Sequence, residues 1–280
     1  MVPAPAERRL PADLGKRAIA GIVMAVMAAV VIFLGGWYFA LVMMTVLVLL
    51  ALEWAKLTMA ASRRRHAVVG IVLLPLLMMG LAHYWVTVAP TQTQTLFAGA
   101  VGASLLFVSL LLIRRVGGWP ERLWAIVGIV YLGVPAVAFL ALRDLPNGMH
   151  LVFWLVIVVV ATDVFAYLVG RSVGGPKLAP RISPGKTWSG LAGGVMGALV
   201  LGGIASGLGG WGSLQGGLFA AILALVAQSG DLFESFIKRR AGVKDSGRLI
   251  PGHGGMLDRL DGYLFAAPAL ALLVAVDRAL

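Results

Sequence analysis

The chain has 280 residues, a formal net charge of +11 and no cysteine; 60% of it is hydrophobic, only 12% is charged, and the mean hydropathy is +0.94. That balance excludes an ordinary soluble domain, and the missing cysteines exclude disulfides and thiolate metal sites. In so apolar a chain the positive charge argues for anionic lipid headgroups or an anionic substrate and against nucleic acid.

Residues 1–16, which include AERRLPADLGKR, are polar and read as a cytoplasmic or interfacial segment. Apolar runs able to cross a bilayer follow at 17–36, 37–56, 67–86, 95–113, 123–142, 151–170, 189–208, 213–230 and 262–278. They predict an all-α, polytopic integral membrane protein with about nine transmembrane helices. The shortest turn is at Gly35-Gly36. Residues 17–36 carry the basic flank of a signal peptide, but the spans behind them favour an uncleaved first helix. The chain divides into N-terminal helices, 17–150, and a C-terminal catalytic region with two cytoplasmic loops, 151–280.

Placing alternate loops in the cytoplasm, starting with the N-terminus, puts 21 of the 23 Lys and Arg inside, and only Arg143 and Arg278 fall outside. This asymmetry predicts a cytoplasmic N-terminus and an external C-terminus. Acids in or beside spans stand out. Asp163 is within the sixth and Asp231 ends the eighth; charge in such places is costly and marks candidate functional groups. Glu53, three residues before Lys56, reads more simply as a helix-packing acid.

The first long inside loop, GRSVGGPKLAPRISPGKTWSG, contains a Gly-Lys-Thr. It is no P-loop, because Pro180 stands where that motif needs its first glycine. Ser183 is expected as an N-cap and Pro184 as the first helical residue. Gly185, Lys186 and Thr187 then form a first turn that offers N–H groups and positive charge to a phosphate. Beyond it, Gly190, Gly193, Gly194 and Gly197 allow close helix packing, within one chain or in a homodimer.

The second loop runs QSGDLFESFIKRRAGVKDSGRLIPGHGGMLDRLDG. Asp258 and Asp261 are three apart and share a helix face where the last span begins. With Asp231 from the other side, they suit Mg²⁺, which takes one or two carboxylates and fills its other positions with water and phosphate oxygens. The glycines around His253 let backbone N–H groups approach a phosphate.

Ser235, Lys238, Arg239, Lys244, Asp245, His253, Gly254, Gly255, Asp258, Arg259 and Asp261 reproduce the long signature of the phosphatidate cytidylyltransferases, or CDP-diacylglycerol synthases. The segments TDVFAYLVGR and SPGKTW also resemble that family, although Ser189 stands where it usually has glutamate. The resemblance covers the C-terminal half. It implies a bacterial inner-membrane enzyme, with its site facing the cytoplasm, that joins CTP and phosphatidic acid into CDP-diacylglycerol and pyrophosphate. It implies Mg²⁺, with a second metal ion as an option, held first by Asp231 and Asp258 and then by Asp261 and Asp245. Lys186, Lys238, Arg239, Lys244, His253 and Arg259 become the catalytic set. Ser183, Thr187, Gly254, Gly255 and Asp163 become substrate contacts. Two rivals share the features read from the residues: a CTP-dependent polyprenol-type lipid kinase, and an ion-coupled transporter using Asp163 and Asp231.

Overall fold

The computed structural model describes residues 14–88, 109–249 and 254–279. Its elements are α1 (Leu14–Leu34), α2 (Gly36–Thr58), α3 (Arg64–Val88), α4 (Trp119–Asp144), α5 (Gly148–Val173), β1 (Lys177–Ala179), β2 (Ser183–Thr187), α6 (Trp188–Leu208), α7 (Ser213–Arg240) and α8 (Leu257–Ala279). Residues 109–114 are also helical.

Among the described residues, six helices are long and apolar enough to cross a membrane: α2 and α4 to α8. Between 28% and 56% of each apolar window is buried inside the chain. The remaining apolar surface, including Phe33, Trp37, Leu41, Ile204 and Leu208, faces outward and needs lipid. The protein is an integral membrane protein built from helices. Most of the predicted span at 95–113 lies outside the described residues.

The chain reverses between α1 and α2 in the two glycines that suggested it. Gly35 and Gly36 have φ of 61° and 50°, where a side chain is strained. Arg143 closes this turn by donating from Nε to Ile32 O at 2.7 Å and from Nη2 to Phe33 O at 3.2 Å. A base thereby answers the free carbonyls and negative end of α1.

At the opposite face the basic loops meet. Arg63 pairs with Glu121 at 3.7 Å, and the Arg240 guanidinium lies 4.3 Å from the Trp124 ring centre.

The C-terminal helices approach through glycine. A Cβ added to Gly194 would lie 2.8 Å from Thr162 O, and one on Gly190 would lie 2.8 Å from Ala166 O. Gly193 and Gly197 face Val169 and Phe165 in the same way, so the glycine face of α6 packs on α5 within one chain. In lipid this close approach replaces the hydrophobic effect as the cohesive force. Gly194→Val is therefore expected to cost about 1–3 kcal/mol, the usual range for overpacking. A thermal unfolding scan of the detergent-solubilised protein checks it.

An aromatic path joins the two halves. Trp54 of α2 lies against Tyr131, which meets Phe233 of α7 at 4.9 Å and Phe265 of α8 at 5.9 Å. Tyr131 sits in a π-helical turn, Ile129–Gly133, inside α4.

Two sequence expectations need correction near the loops. SPGKT is not a helix start. It is strand β2, paired antiparallel with β1, Lys177 opposite Thr187 and Ala179 opposite Ser183. The N-cap is Thr187, whose hydroxyl accepts the Gly190 N–H at 3.0 Å. Ser183 and Lys186 thus precede the helix. Likewise the helix of the eighth span runs on past residue 230. α7 continues to Arg240, with no proline to stop it and three bases in its last turn to suit the helix dipole. Asp231, Ser235, Lys238 and Arg239 are helical residues and not loop residues.

Candidate active site

The β1–β2 hairpin and the loop after α7 both lie against the C-terminal part of α7. Arg239 joins them, donating from Nε to Ile182 O in the hairpin at 3.1 Å and from Nη1 to Val243 O in the loop at 3.4 Å. Lys186 reaches down from β2. Its Nζ lies 2.6 Å from Asp231 Oδ2 and donates to Gln228 Oε1 at 2.8 Å. Gln228, buried on α7, turns its amide to Asp163 Oδ1 of α5 at 3.3 Å. Ser235 donates to the other oxygen of Asp231 at 3.3 Å.

Asp261 comes to the same place from α8. A Cβ on Gly230 would lie only 2.5 Å from Asp261 O, so α7 and α8 cross in near backbone contact beside Asp231. Asp163, Asp231 and Asp261 are close enough to act on one another electrostatically, and Lys186 and Arg259 act on Asp163. Within the described residues no three acidic or histidine side chains form a ready metal cage. Carboxylates are hard oxygen donors, of which Mg²⁺ takes one or two and completes its shell with water and phosphate.

A second cluster is built around Asp258, in the first turn of α8. Its Oδ1 accepts from Lys238 Nζ at 2.7 Å. Its Oδ2 accepts from the Ser246 N–H at 2.9 Å, the Ser246 hydroxyl at 3.0 Å and the Gly255 N–H at 2.8 Å. Those contacts tie Asp258 to the loop and to α7. Lys238 is held between Asp258 and Glu234, a fully buried acid with which it forms an ion pair. Lys238 is thereby a strut between α7 and α8, and the Gly255 N–H is already committed.

The other expected residues are placed as follows. Gly254 has φ 87°, and a Cβ there would lie 2.7 Å from Asp258 Oδ2. Lys244 and Asp245 are exposed on the loop, and Arg259 is exposed on α8. Ser183 lies in the hairpin, and Thr187 is spent as the N-cap. Ser189, in place of the usual acid, bonds Gly174 O and Thr187 Oγ1 and so ties α6 to the end of α5. His253 lies outside the described residues.

Sequence reasoning passed over Gln228, Glu234 and Ser246. The first two carried a signal, a polar group three residues before Asp231 inside the eighth apolar run and an acid four before Lys238 on the same helix face. Glu53 was read as a packing acid. It is instead buried against the loop, where Ser246 and the start of α8 meet it. Two cavities, of about 380 and 320 Å³, share Trp154 and Trp211 near the other end of α5, away from this chemistry.

Residues 15–277 match the model of the cytidylyltransferase family. The chain is 48% identical over 160 residues to a phosphatidate cytidylyltransferase of Brucella abortus biovar 1 (strain 9-941), covering 55% of this chain and 58% of that protein. It is 46% identical over 147 residues to one of Helicobacter pylori (strain ATCC 700392 / 26695), covering 50% and 53%. With one of Bacillus subtilis (strain 168) it shares 34% identity over 217 residues, covering 71% and 78%. The matched region spans little more than half the length of the Brucella and Helicobacter proteins. The family model, by contrast, runs over nearly the whole chain, through both clusters described above, and the chain belongs to the cytidylyltransferase family.

Proposed function

We propose that the chain transfers CMP from CTP to phosphatidic acid, giving CDP-diacylglycerol and pyrophosphate. The observation that carries this reading is the Lys186–Asp231 contact at 2.6 Å. It joins a cationic hairpin to a group of carboxylates at one end of the helix bundle, within a cytidylyltransferase chain. Both substrates are polyanions, one soluble and one lipid, and this end of the bundle gathers the charges to hold them.

An oxygen of the lipid phosphate attacks the α-phosphorus of CTP. A new P–O bond forms, the bond from the α-phosphorus to the bridging oxygen breaks, and its electron pair leaves on pyrophosphate. A phosphate monoester has a second pKa of about 6, so the dianion is present at neutral pH and no strong base is required. The protein's task is position and charge. Lys186, steered by Gln228 and Asp231, meets a phosphate oxygen; Lys244 and Arg259 serve the leaving pyrophosphate. Arg239 keeps the hairpin against the loop, and His253 is a phosphate contact or loop-ordering donor. Asp231 and Asp261, with Asp163 beside them, would hold Mg²⁺; Asp245 is the carboxylate left for a second ion. When bound, the ion offsets triphosphate charge. Asp258 moves in this reading from leading ligand to loop anchor.

The basic loops share one face, and the positive-inside rule makes that face cytoplasmic, with N-terminus inside and nine spans in a bacterial inner membrane. The glycines of α6 are used on α5, so a homodimer would draw on another surface.

CTP labelled separately at the α- and γ-phosphates tests the reaction with phosphatidic acid vesicles and purified protein. Lipid carrying only the α label is expected. The γ label in lipid would mean a kinase, and unlabelled lipid would remove the transferase reading.

A further inference from the structure

α2 lies in the half of the chain without loop motifs, yet it sends Glu53 into the C-terminal loop. Glu53 is buried. Its Oε1 accepts from the Met256 N–H at 3.0 Å. Its Oε2 accepts from the Leu257 N–H at 2.8 Å and lies 3.0 Å from the Ser246 hydroxyl, which it shares with Asp258. Met256 immediately precedes α8 and Leu257 opens it, where helical N–H groups lack partners and the dipole favours a negative charge. A helix cap ordinarily comes from the residue just before the helix. Here it comes from 203 and 204 residues away.

Asp258 grips the same segment from the other side. Ser246 Oγ lies 3.0 Å from both Glu53 Oε2 and Asp258 Oδ2, so two carboxylates share the single proton of one hydroxyl. Together they fasten the loop near its start, at Ser246, and at its end, from Gly255 to Leu257. The fit leaves no room for side chains. A Cβ on Gly255 would lie 2.1 Å from Ser246 Oγ and 2.6 Å from Glu53 Oε2, and one on Gly247 would lie 2.5 Å from Glu53 Oε1. Those two glycines answer to Glu53 as much as to any ligand.

α2 is itself firmly held. Trp54, next to Glu53, is fully buried, donates from Nε1 to Trp124 O at 2.9 Å and begins the aromatic path to α7 and α8. The carboxylate therefore rests on a rigid support, as a residue that must place others requires.

We propose that Glu53 is a positioning residue of the active site, fixing the start of α8, and with it Asp261, against Asp231 on α7. It touches no reacting atom. The inference rests on the transferase reading for its kinetic consequence, while the loop geometry stands apart from that reading.

Glu53→Gln keeps the size but turns an NH₂ toward at least one of the three donors. In the full-length enzyme, kcat for lipid-linked CMP formation is expected to fall about 30- to 100-fold, the scale of a small misplacement of catalytic groups. KM for CTP should change by less than about threefold, since no uniform binding contact is lost. Amide hydrogen exchange should quicken about tenfold or more in peptides covering 244–249 and 255–259, with 190–205 unchanged. A Glu53→Gln enzyme with wild-type kcat, or with wild-type exchange in both peptides, overturns the proposal. Should protection be lost across α6 as well, Ser246→Ala decides. A loss of about fivefold in kcat with faster exchange at 244–249 supports the clamp, and no change in either overturns it. Wild-type protein that makes no CDP-lipid would sink the reaction alone, because the exchange result does not depend on it.

Discussion

Asp231→Asn is expected to lower kcat/KM by about 10³-fold or more, the scale seen when a charge that stabilises the transition state is removed. The change is almost isosteric, but it removes half of the ion pair with Lys186 and one of the carboxylates that act electrostatically on Asp261 and Asp163. Asn still accepts from Ser235, so α7 should keep its place. The measurement is turnover across a Mg²⁺ titration, with gel filtration to show an intact fold. Activity within tenfold of wild type at limiting Mg²⁺ would refute the ligand role. A loss recovered at high Mg²⁺ would instead put Asp231 behind the ligands, orienting them.

Lys186→Met should lower kcat/KM by about 10²-fold or more, through lost contact to a phosphate in the transition state. Methionine keeps much of the apolar stem and removes the ammonium that joins β2 to Asp231 and Gln228. Because Arg259 and Lys186 both act on Asp163, the Lys186→Met/Arg259→Met double variant should lose less than the product of the single losses. Kinetics of the three variants decide it. Additive losses would separate the hairpin from the loop, and an active Lys186→Met would confine the chemistry to the loop.

The sequence by itself determined the membrane character and the polar segments. A bilayer demands runs of about 20 apolar residues, and such a demand can be read locally. So can the reversal at Gly35-Gly36, which needs positive φ. The C-terminal signature was legible as well, because it is contiguous, and the acids in apolar spans stood out by their cost. Helix ends were less legible. SPGKT fits a capped helix start and a strand equally well until β1 is seen to pair with it.

Only the tertiary structure decided which groups meet. Asp258 and Asp261 are three residues apart on one helix, yet the Asp258 carboxylate is bonded by Lys238, Ser246 and Gly255, while the Asp261 carboxylate accepts the Gly262 N–H at 2.7 Å and feels the charge of Asp231. No local pattern distinguishes them, because the distinction is made by partners on α7 and the loop. Glu53 is the extreme case. Beside Lys56 it looks like half of a helical pair. In the fold its partners lie about 200 residues on, and it caps α8 because the aromatic path through Trp54 and Tyr131 carries α2 there. The N–H groups of a helix N-terminus can bond a carboxylate from any part of the chain, so the choice of acceptor is a property of the assembled fold.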